Sequence, residues 1–238
     1  MAVRGTHRRV VSLLSQCIDL KRPGLRALDL GAGQGALSVR LKEAGLAVEA
    51  CDPNPEQFQI EGVQCRRIDE AGRLPYDDAQ FDIALAVEVV EHIDGHRVFF
   101  AEAARVLKPG GLLLFTTPNI LSLKSRMLFF FGGYYYSFGP LEPFKVDPAS
   151  QHISPFTLNR YQWMLSRCGF RLQQVATDKR QSLSITFAFL VPLIRLVSLV
   201  EARRKSPVPS QNTSTLLFGR KLVVVAEKSE EESAGPDQ

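Results

Sequence analysis

Apolar positions recur at helical spacing from His7 to Leu20, with Val10, Val11, Leu13, Leu14, Cys17 and Ile18 on one side. Pro23-Gly24 ends that helix. Short apolar runs of strand length then alternate with helical stretches. Leu25 to Leu30, Ala47 to Cys51, Val63 to Ile68, Phe81 to Val87 and Leu112 to Thr117 read as the first five strands. Between them, Ala36 to Glu43 reads as a helix stopped by Gly45, and Pro53 to Ile60 as a turn continuing into a helix. His96 to Leu107 reads as a helix ended by Pro109-Gly110-Gly111. This alternation predicts βαβ units, a mainly parallel sheet and helices on both faces.

After Pro118 the pattern changes. Asn119 to Ser150 is loop-rich and aromatic, with Phe129, Phe130, Phe131, Tyr134, Tyr135, Tyr136 and Phe138. Ser154-Pro155 has the chemistry of an N-cap with proline at the first helical position, opening a helix to about Arg167 that Gly169 ends. Phe170 to Ala176 and Thr215 to Glu227 supply two more strands, seven in all. Lys228 to Gln238 is acidic and polar and is expected to be disordered. The expected organisation is one domain over residues 1–227, with inserted segments at 119–150 and 178–210, and a tail at 228–238.

Composition narrows this picture without redirecting it. With 45% hydrophobic and 23% charged residues, the chain has apolar material for a full core. A net charge of +4, with no stripe of clustered Lys and Arg, does not point to nucleic acid. Cys17, Cys51, Cys65 and Cys168 are scattered and form no CxxC pair, as expected of reduced and mostly buried thiols in the cytoplasm. No apolar run follows Arg4, Arg8 and Arg9 as a signal peptide requires. The apolar stretch from Ser182 to Val200 is broken by Pro192 and Arg195, short of the roughly 20 residues that span a bilayer.

Candidate chemistry begins where the first strand meets the first βα helix, at Leu28-Asp29-Leu30-Gly31-Ala32-Gly33-Gln34-Gly35. Glycines there allow a sharp turn and close approach of a ligand. The helix start offers free N–H groups. Asp52 ends the second strand, where a carboxylate can accept hydrogen bonds from both ribose hydroxyls. Gly31, Gly33 and Ala36 also satisfy the looser dinucleotide fingerprint, so a nicotinamide-dependent oxidoreductase is a competing reading. Asp29, inside an apolar strand, discriminates. A buried carboxylate needs a partner, such as a cationic amino group or the loop's own N–H groups. It would repel a pyrophosphate.

The glycine loop resembles the first motif of class I S-adenosylmethionine-dependent methyltransferases. Leu74-Pro75-Tyr76-Asp77-Asp78-Ala79-Gln80-Phe81-Asp82 resembles their segment leading into strand four, and Arg105-Val106-Leu107-Lys108-Pro109-Gly110-Gly111 their turn into strand five. Val87-Glu88-Val89-Val90-Glu91-His92 and Thr116-Thr117-Pro118-Asn119 resemble the quinone-biosynthesis O-methyltransferase branch. The resemblance covers roughly Leu25 to Ala176. It implies an α/β, Rossmann-like, doubly wound sheet with an aromatic lid insertion, and S-adenosyl-L-methionine as cofactor. It implies that Gly31, Gly33 and Gly35 pack on the methionine part, Asp29 supports its amino group and Asp52 binds the ribose. It further implies that Asp69 or Glu70 meets the adenine amine and that Glu88 lies near the sulfonium end. A non-catalytic module that keeps the fold is a third reading.

Methyl transfer to a hydroxyl needs a general base with a pKa near working pH, or a metal. His92 and His152 are the candidates, with a capping or backbone-bound role as the alternative for His92. His7 and His96 are expected at the surface. No His, Asp and Glu spacing suggests a metal, so none is expected. The apolar run from Met127 to Leu141, flanked by Lys124 and Arg126, suits either a lid over a small or lipid-linked acceptor or a satellite core against Leu183 to Leu199. Peripheral contact with the inner face of a membrane is one expectation, and a purely soluble acceptor the alternative. Oxygen is the first expectation for the methylated atom, with nitrogen and carbon open.

Overall fold

The computed structural model describes residues 5–145, 150–202 and 211–230. Seven strands form one sheet in the order β3-β2-β1-β4-β5-β7-β6. They are β1 (Arg26–Leu30), β2 (Ala47–Asp52), β3 (Cys65–Arg67), β4 (Phe81–Ala86), β5 (Leu107–Pro118), β6 (Phe170–Thr177) and β7 (Lys221–Lys228). The first five pair in parallel, and β7 inserts antiparallel between β5 and β6. The chain order reverses at β1 and β4, and ligands bind at the carboxyl edge of such a switch point.

The helices are α1 (Thr6–Cys17), α2 (Ala36–Glu43), α3 (His96–Val106), α4 (Leu123–Gly132), α5 (Leu158–Arg167), α6 (Ser182–Thr186), α7 (Val191–Ala202) and α8 (Ser214–Phe218). Two buried layers follow from the period-two alternation of the central strands. Ile83, Leu85, Leu112 and Leu114 face α1 and α2, meeting Val10, Leu13, Leu14, Leu37 and Leu41. Ala84, Ala86, Leu113 and Phe115 face the other way, against Phe100 of α3 and Tyr161 and Leu165 of α5.

The Leu74–Asp82 segment is pinned to this frame. Arg105 donates to the carbonyls of Leu74 (3.0 Å) and Tyr76 (2.8 Å) and pairs with Glu102 and Asp78. The Tyr76 hydroxyl donates to the Ala50 carbonyl at 2.6 Å. These bonds hold β4 in register beside β1 and so place the loops of the site.

Several expected boundaries move. Pro53 to Ile60 forms only a single 3-10 turn, Pro55–Gln57, because Phe58 leaves the helical region to pack near Gly35. Pro109-Gly110-Gly111 does not separate α3 from a strand; it lies inside β5, which starts at Leu107. The Ser154 hydroxyl donates to the Ile93 carbonyl at 2.8 Å, so Thr157 caps α5 instead. The loop-rich insertion contains α4, capped by Ser122. Thr215 lies in α8, and β7 begins only at Lys221. All four cysteines are free, and only Cys51 is fully buried. Of the expected disordered tail, residues 231–238 lie outside the described residues, as do 146–149 and 203–210 of the inserted segments.

Candidate active site

The loop after β1 places Gly31, Gly33 and Gly35 at φ +69°, +51° and +88°. Side-chain-bearing residues rarely adopt this left-handed region. A Cβ on Gly31 would strike Val89, and one on Gly35 would strike Ile60 and Phe58. A Cβ on Gly33 would meet nothing within 4 Å, so this glycine borders open space. Parallel pairing of β1 with β2 brings Asp52 beside that turn. The Gly33 N–H donates to one Asp52 oxygen at 2.8 Å, and the Asn54 N–H to the other at 2.8 Å.

Asp29 lies beneath the loop with 2% exposure. Its partner is neither of those anticipated. The Ser38 hydroxyl, in the first turn of α2, donates to it at 2.6 Å. Burial nevertheless pushes the Asp29 carboxyl up to about 6, opposed by Ser38 and assisted by the Asp52 charge. Asp69 and Glu70 are both exposed after β3. The Asp69 carboxylate accepts the Arg73 N–H at 2.7 Å, so it also closes its own turn.

Beyond β4 the backbone kinks at Glu88, whose φ of +61° is uncommon for a residue with a side chain. Its N–H donates to the Thr116 hydroxyl at 2.9 Å. Its carboxylate pairs with Lys221 at the start of β7, and the Lys221 side chain is only 8% exposed. Sequence reasoning missed Lys221. Its one signal is a lysine heading the otherwise apolar run Leu222 to Ala226.

His92 and His152 come together. The Glu91 carbonyl accepts the N–H groups of Ile153 (2.8 Å) and Ser154 (3.2 Å), drawing the second segment onto the first. The two imidazoles meet edge to face with ring centres 4.7 Å apart. His92 Nδ1 lies 2.8 Å from the Gln151 carbonyl, an acceptor that favours the tautomer with the proton on Nδ1. Burial and neighbouring His92 lower the His152 pKa, with the Ser137 backbone partly offsetting them. Glu91, also missed, is fully buried, and neither of its carboxylate oxygens has a hydrogen-bond partner. Burial pushes it up to about 7.

No metal was expected from the sequence spacing, but the fold brings one ligand atom each from Glu91, His92 and His152 within 4.8 Å of the others. The sequence hid this because His152 arrives from 60 residues downstream of His92, held by the two Glu91 carbonyl bonds. His96 is also corrected. It is buried rather than at the surface, with Nε2 2.8 Å from the Val90 carbonyl. His7 is partly buried, and the charges of Glu88 and Lys221 act on it.

Two cavities are lined by residues of the aromatic insertion. One of about 540 Å³ is lined by Ile120, Leu121, Met127, Phe129, Phe130 and Tyr135, with Arg126 and Thr157. A smaller one of about 280 Å³ includes Ser137, Leu141, Gln151 and His152. Arg126 is not free to meet a head group. It donates to the Leu121 carbonyl (2.8 Å) and the Asn212 side chain (2.7 Å). The Lys124 ammonium lies 4.2 Å from the centre of the Tyr136 ring.

The comparisons with known proteins agree with this geometry. A demethylmenaquinone methyltransferase of Tropheryma whipplei is 37% identical over 97 residues, covering 38% of this chain and 41% of that protein. A ubiquinone biosynthesis O-methyltransferase of Agrobacterium fabrum is 34% identical over 116 residues, covering 45% and 46%. The chain thus spans less than half the length of these curated relatives. A SAM dependent methyltransferase from Archaeoglobus fulgidus shares the fold with a TM-score of 0.59 at 21% identity, over 94% of this chain and 96% of that one. The methyltransferase domain family itself matches residues 3–175, a span that holds the glycine loop, Asp52, Glu88 and both site histidines, and the chain belongs to that family.

Proposed function

We propose that the chain binds S-adenosyl-L-methionine and transfers its methyl group to an oxygen of a lipid-like, quinone-type acceptor. The observation that carries the cofactor reading is Gly33. It stands at positive φ beside open space, with its N–H held by Asp52, at the carboxyl edge of the switch point. In this reading Asp52 binds the ribose, Asp29 supports the amino group through the loop, and Gly31 and Gly35 close the turn. Asp69 or Glu70 meets the adenine, and Glu88 with Lys221 lies near the sulfonium. The cofactor supplies an activated methyl group. The protein's task is then alignment of acceptor oxygen, methyl and sulfur, an effect of up to about 7–11 kcal/mol.

The acceptor oxygen must also lose its proton. In this reading His152, whose pKa burial lowers, or His92, through the ring nitrogen that does not face the Gln151 carbonyl, takes it. The names of the relatives and the apolar cavity of the insertion favour an isoprenoid-bearing ring acceptor. Titration calorimetry with S-adenosylmethionine, its demethylated product and NAD tests the cofactor. Tight binding of NAD alone would return the oxidoreductase reading. Turnover of prenylated hydroquinones by His92→Ala and His152→Ala, beside cofactor affinity, tests the base. Unchanged turnover in both would remove it.

A second reading of the histidine pair is favoured by Glu91. Two imidazoles and one carboxylate form a donor set that suits a divalent transition metal with open positions. A cation there would lower the pKa of a bound acceptor hydroxyl and replace the general base. Full turnover after exhaustive chelation would reject this reading. Restoration of lost turnover by Zn²⁺ or Mn²⁺, but not in Glu91→Gln, would support it.

A further inference from the structure

Away from the glycine loop and the histidine pair, a cleft of about 410 Å³ lies between the first turn of α3 and the outer face of α5. We propose that it is a binding site for a phosphorylated heteroaromatic ligand of the nucleotide class.

Arg160, Trp163, Met164 and Arg167 fall at helical spacing on α5 and form one wall. Arg97 and Val98 of α3 form the opposite wall, with Phe156 beside them. Among the described residues, Arg97, Arg160 and Arg167 take part in no ion pair, whereas Arg105 and Arg220 are both matched with carboxylates. The one acidic side chain lining the cleft is Asp94. Three guanidinium groups around a single carboxylate leave an excess of positive charge at a concave surface, where field lines concentrate. Guanidinium forks match phosphate oxygens two at a time.

The aromatic half of the proposal rests on Trp163. It is the chain's single tryptophan, yet it is 54% exposed. The Arg160 guanidinium lies 4.6 Å from the centre of its ring and 5.8 Å from that of Phe156. These contacts hold Arg160 at the edge of the cleft before any ligand arrives, which lowers the ordering cost of binding. Arg160 covers one face of the indole, and the exposed remainder of the ring is the surface on which a base stacks while its phosphates meet the guanidinium groups. The floor is rigid, because His96 is buried against the Val90 carbonyl and packs 4.7 Å from Phe156. None of these residues belongs to the cofactor loop, so the site stands apart from the cofactor reading.

The position of Trp163 makes the test direct. The full chain, saturated with S-adenosylhomocysteine, is titrated with GTP, guanosine and inorganic tripolyphosphate, following tryptophan fluorescence and heat. GTP is expected to give a saturable fluorescence change. Affinity should fall by about tenfold or more in Arg160→Gln/Arg167→Gln, the loss expected for charge-assisted hydrogen bonds. Both arginines are exposed, so the variant keeps its fold, as an unchanged melting curve would show. Guanosine and tripolyphosphate should each bind far more weakly than GTP. Absence of saturation, equal GTP affinity in the double variant, tripolyphosphate as tight as GTP, or preferential binding of a polyglutamate peptide would each overturn the proposal.

Discussion

A buried carboxyl held by the Ser38 hydroxyl makes stability depend on the charge state of Asp29. Burial lifts its pKa from 3.8 to about 6. Below about pH 4 the folded and unfolded chains both hold the proton. Between the two values the unfolded chain ionises while the folded chain stays neutral. The stability contributed by the neutral carboxyl is therefore present in acid and lost as pH rises through 6. Asp29→Asn removes that loss. Its unfolding free energy should exceed that of the wild type above pH 6 by on the order of 2–3 kcal/mol, and match it below pH 4, in urea titrations across that range. If Asp29 supports the cofactor's ammonium, binding near pH 5.5 must also release a proton. Calorimetry in buffers of different ionisation enthalpy should detect that release in the wild type and none in the variant. Gly33 offers a companion test. Alanine there meets no neighbour but pays about 1–2 kcal/mol for its left-handed backbone. Gly33→Ala should thus fold, melt slightly earlier and lose cofactor affinity by far more than its stability loss implies, measured by melting and calorimetry on one preparation. At this scale the sequence was informative where local chemistry decides. The glycines and Asp52 stand where their motif put them. Ser38 was not visible as Asp29's partner, since only the docking of α2 on β1 brings the two within 2.6 Å.

The elements that build the site are joined by a pair that no local pattern announces. Lys221 at the head of β7 and Glu88 after β4 are 133 positions apart in the chain, and they meet only because β7 turns back to pair with β5. Removing one member strands the other in a largely dry site, which typically costs about 3–5 kcal/mol. Lys221→Met should be destabilised by roughly that amount in urea unfolding, and Glu88→Gln/Lys221→Met should recover most of it. A double variant as unstable as the single one would mean that Lys221 acts through packing. The same dependence on tertiary pairing explains the displaced boundaries. Ser154-Pro155 has the chemistry of a helix start, but the Ser154 hydroxyl is spent on the Ile93 carbonyl, and that bond helps seat His152 beside His92. Pro109-Gly110-Gly111 has turn chemistry, yet β5 runs through it as it leaves α3. Strand and helix cores were legible from periodicity, while ends set by long-range hydrogen bonds were not.

Across the whole molecule the surface is uneven. Phe130, Phe131, Phe144, Phe189, Leu193, Leu196 and Leu199 are each more than half exposed, and all lie in the inserted segments, around α4 and α7. The leucines expected to form a satellite core with the insertion, Leu183, Leu193, Leu196 and Leu199, are each more than half exposed. The Ser184 hydroxyl of α6 accepts the Lys124 N–H at 3.1 Å, and Phe129 stacks on Tyr135 with ring centres 4.5 Å apart. The outer rings stay in water at a cost of roughly 25 cal/mol per Å² of apolar surface, which favours their burial elsewhere. No helix of the described residues is long and apolar enough to cross a membrane. The apolar cavity beside α4 includes Phe130 in its lining, and the isoprenoid-bearing acceptor proposed above would enter there if the exposed rings rest on a bilayer. Phe131→Ser/Phe144→Ser/Phe189→Ser tests this without touching the lining of that cavity. All three side chains are at least 73% exposed, so the melting temperature should hold or rise. In flotation with neutral lipid vesicles the wild type should move with the lipid and the triple variant stay behind. Turnover of a long-chain hydroquinone presented in vesicles should fall several-fold, while that of a short-chain analogue in detergent-free buffer should not. Equal flotation of the two proteins, or an equal loss on both acceptors, would show that the exposed rings serve a contact other than the bilayer.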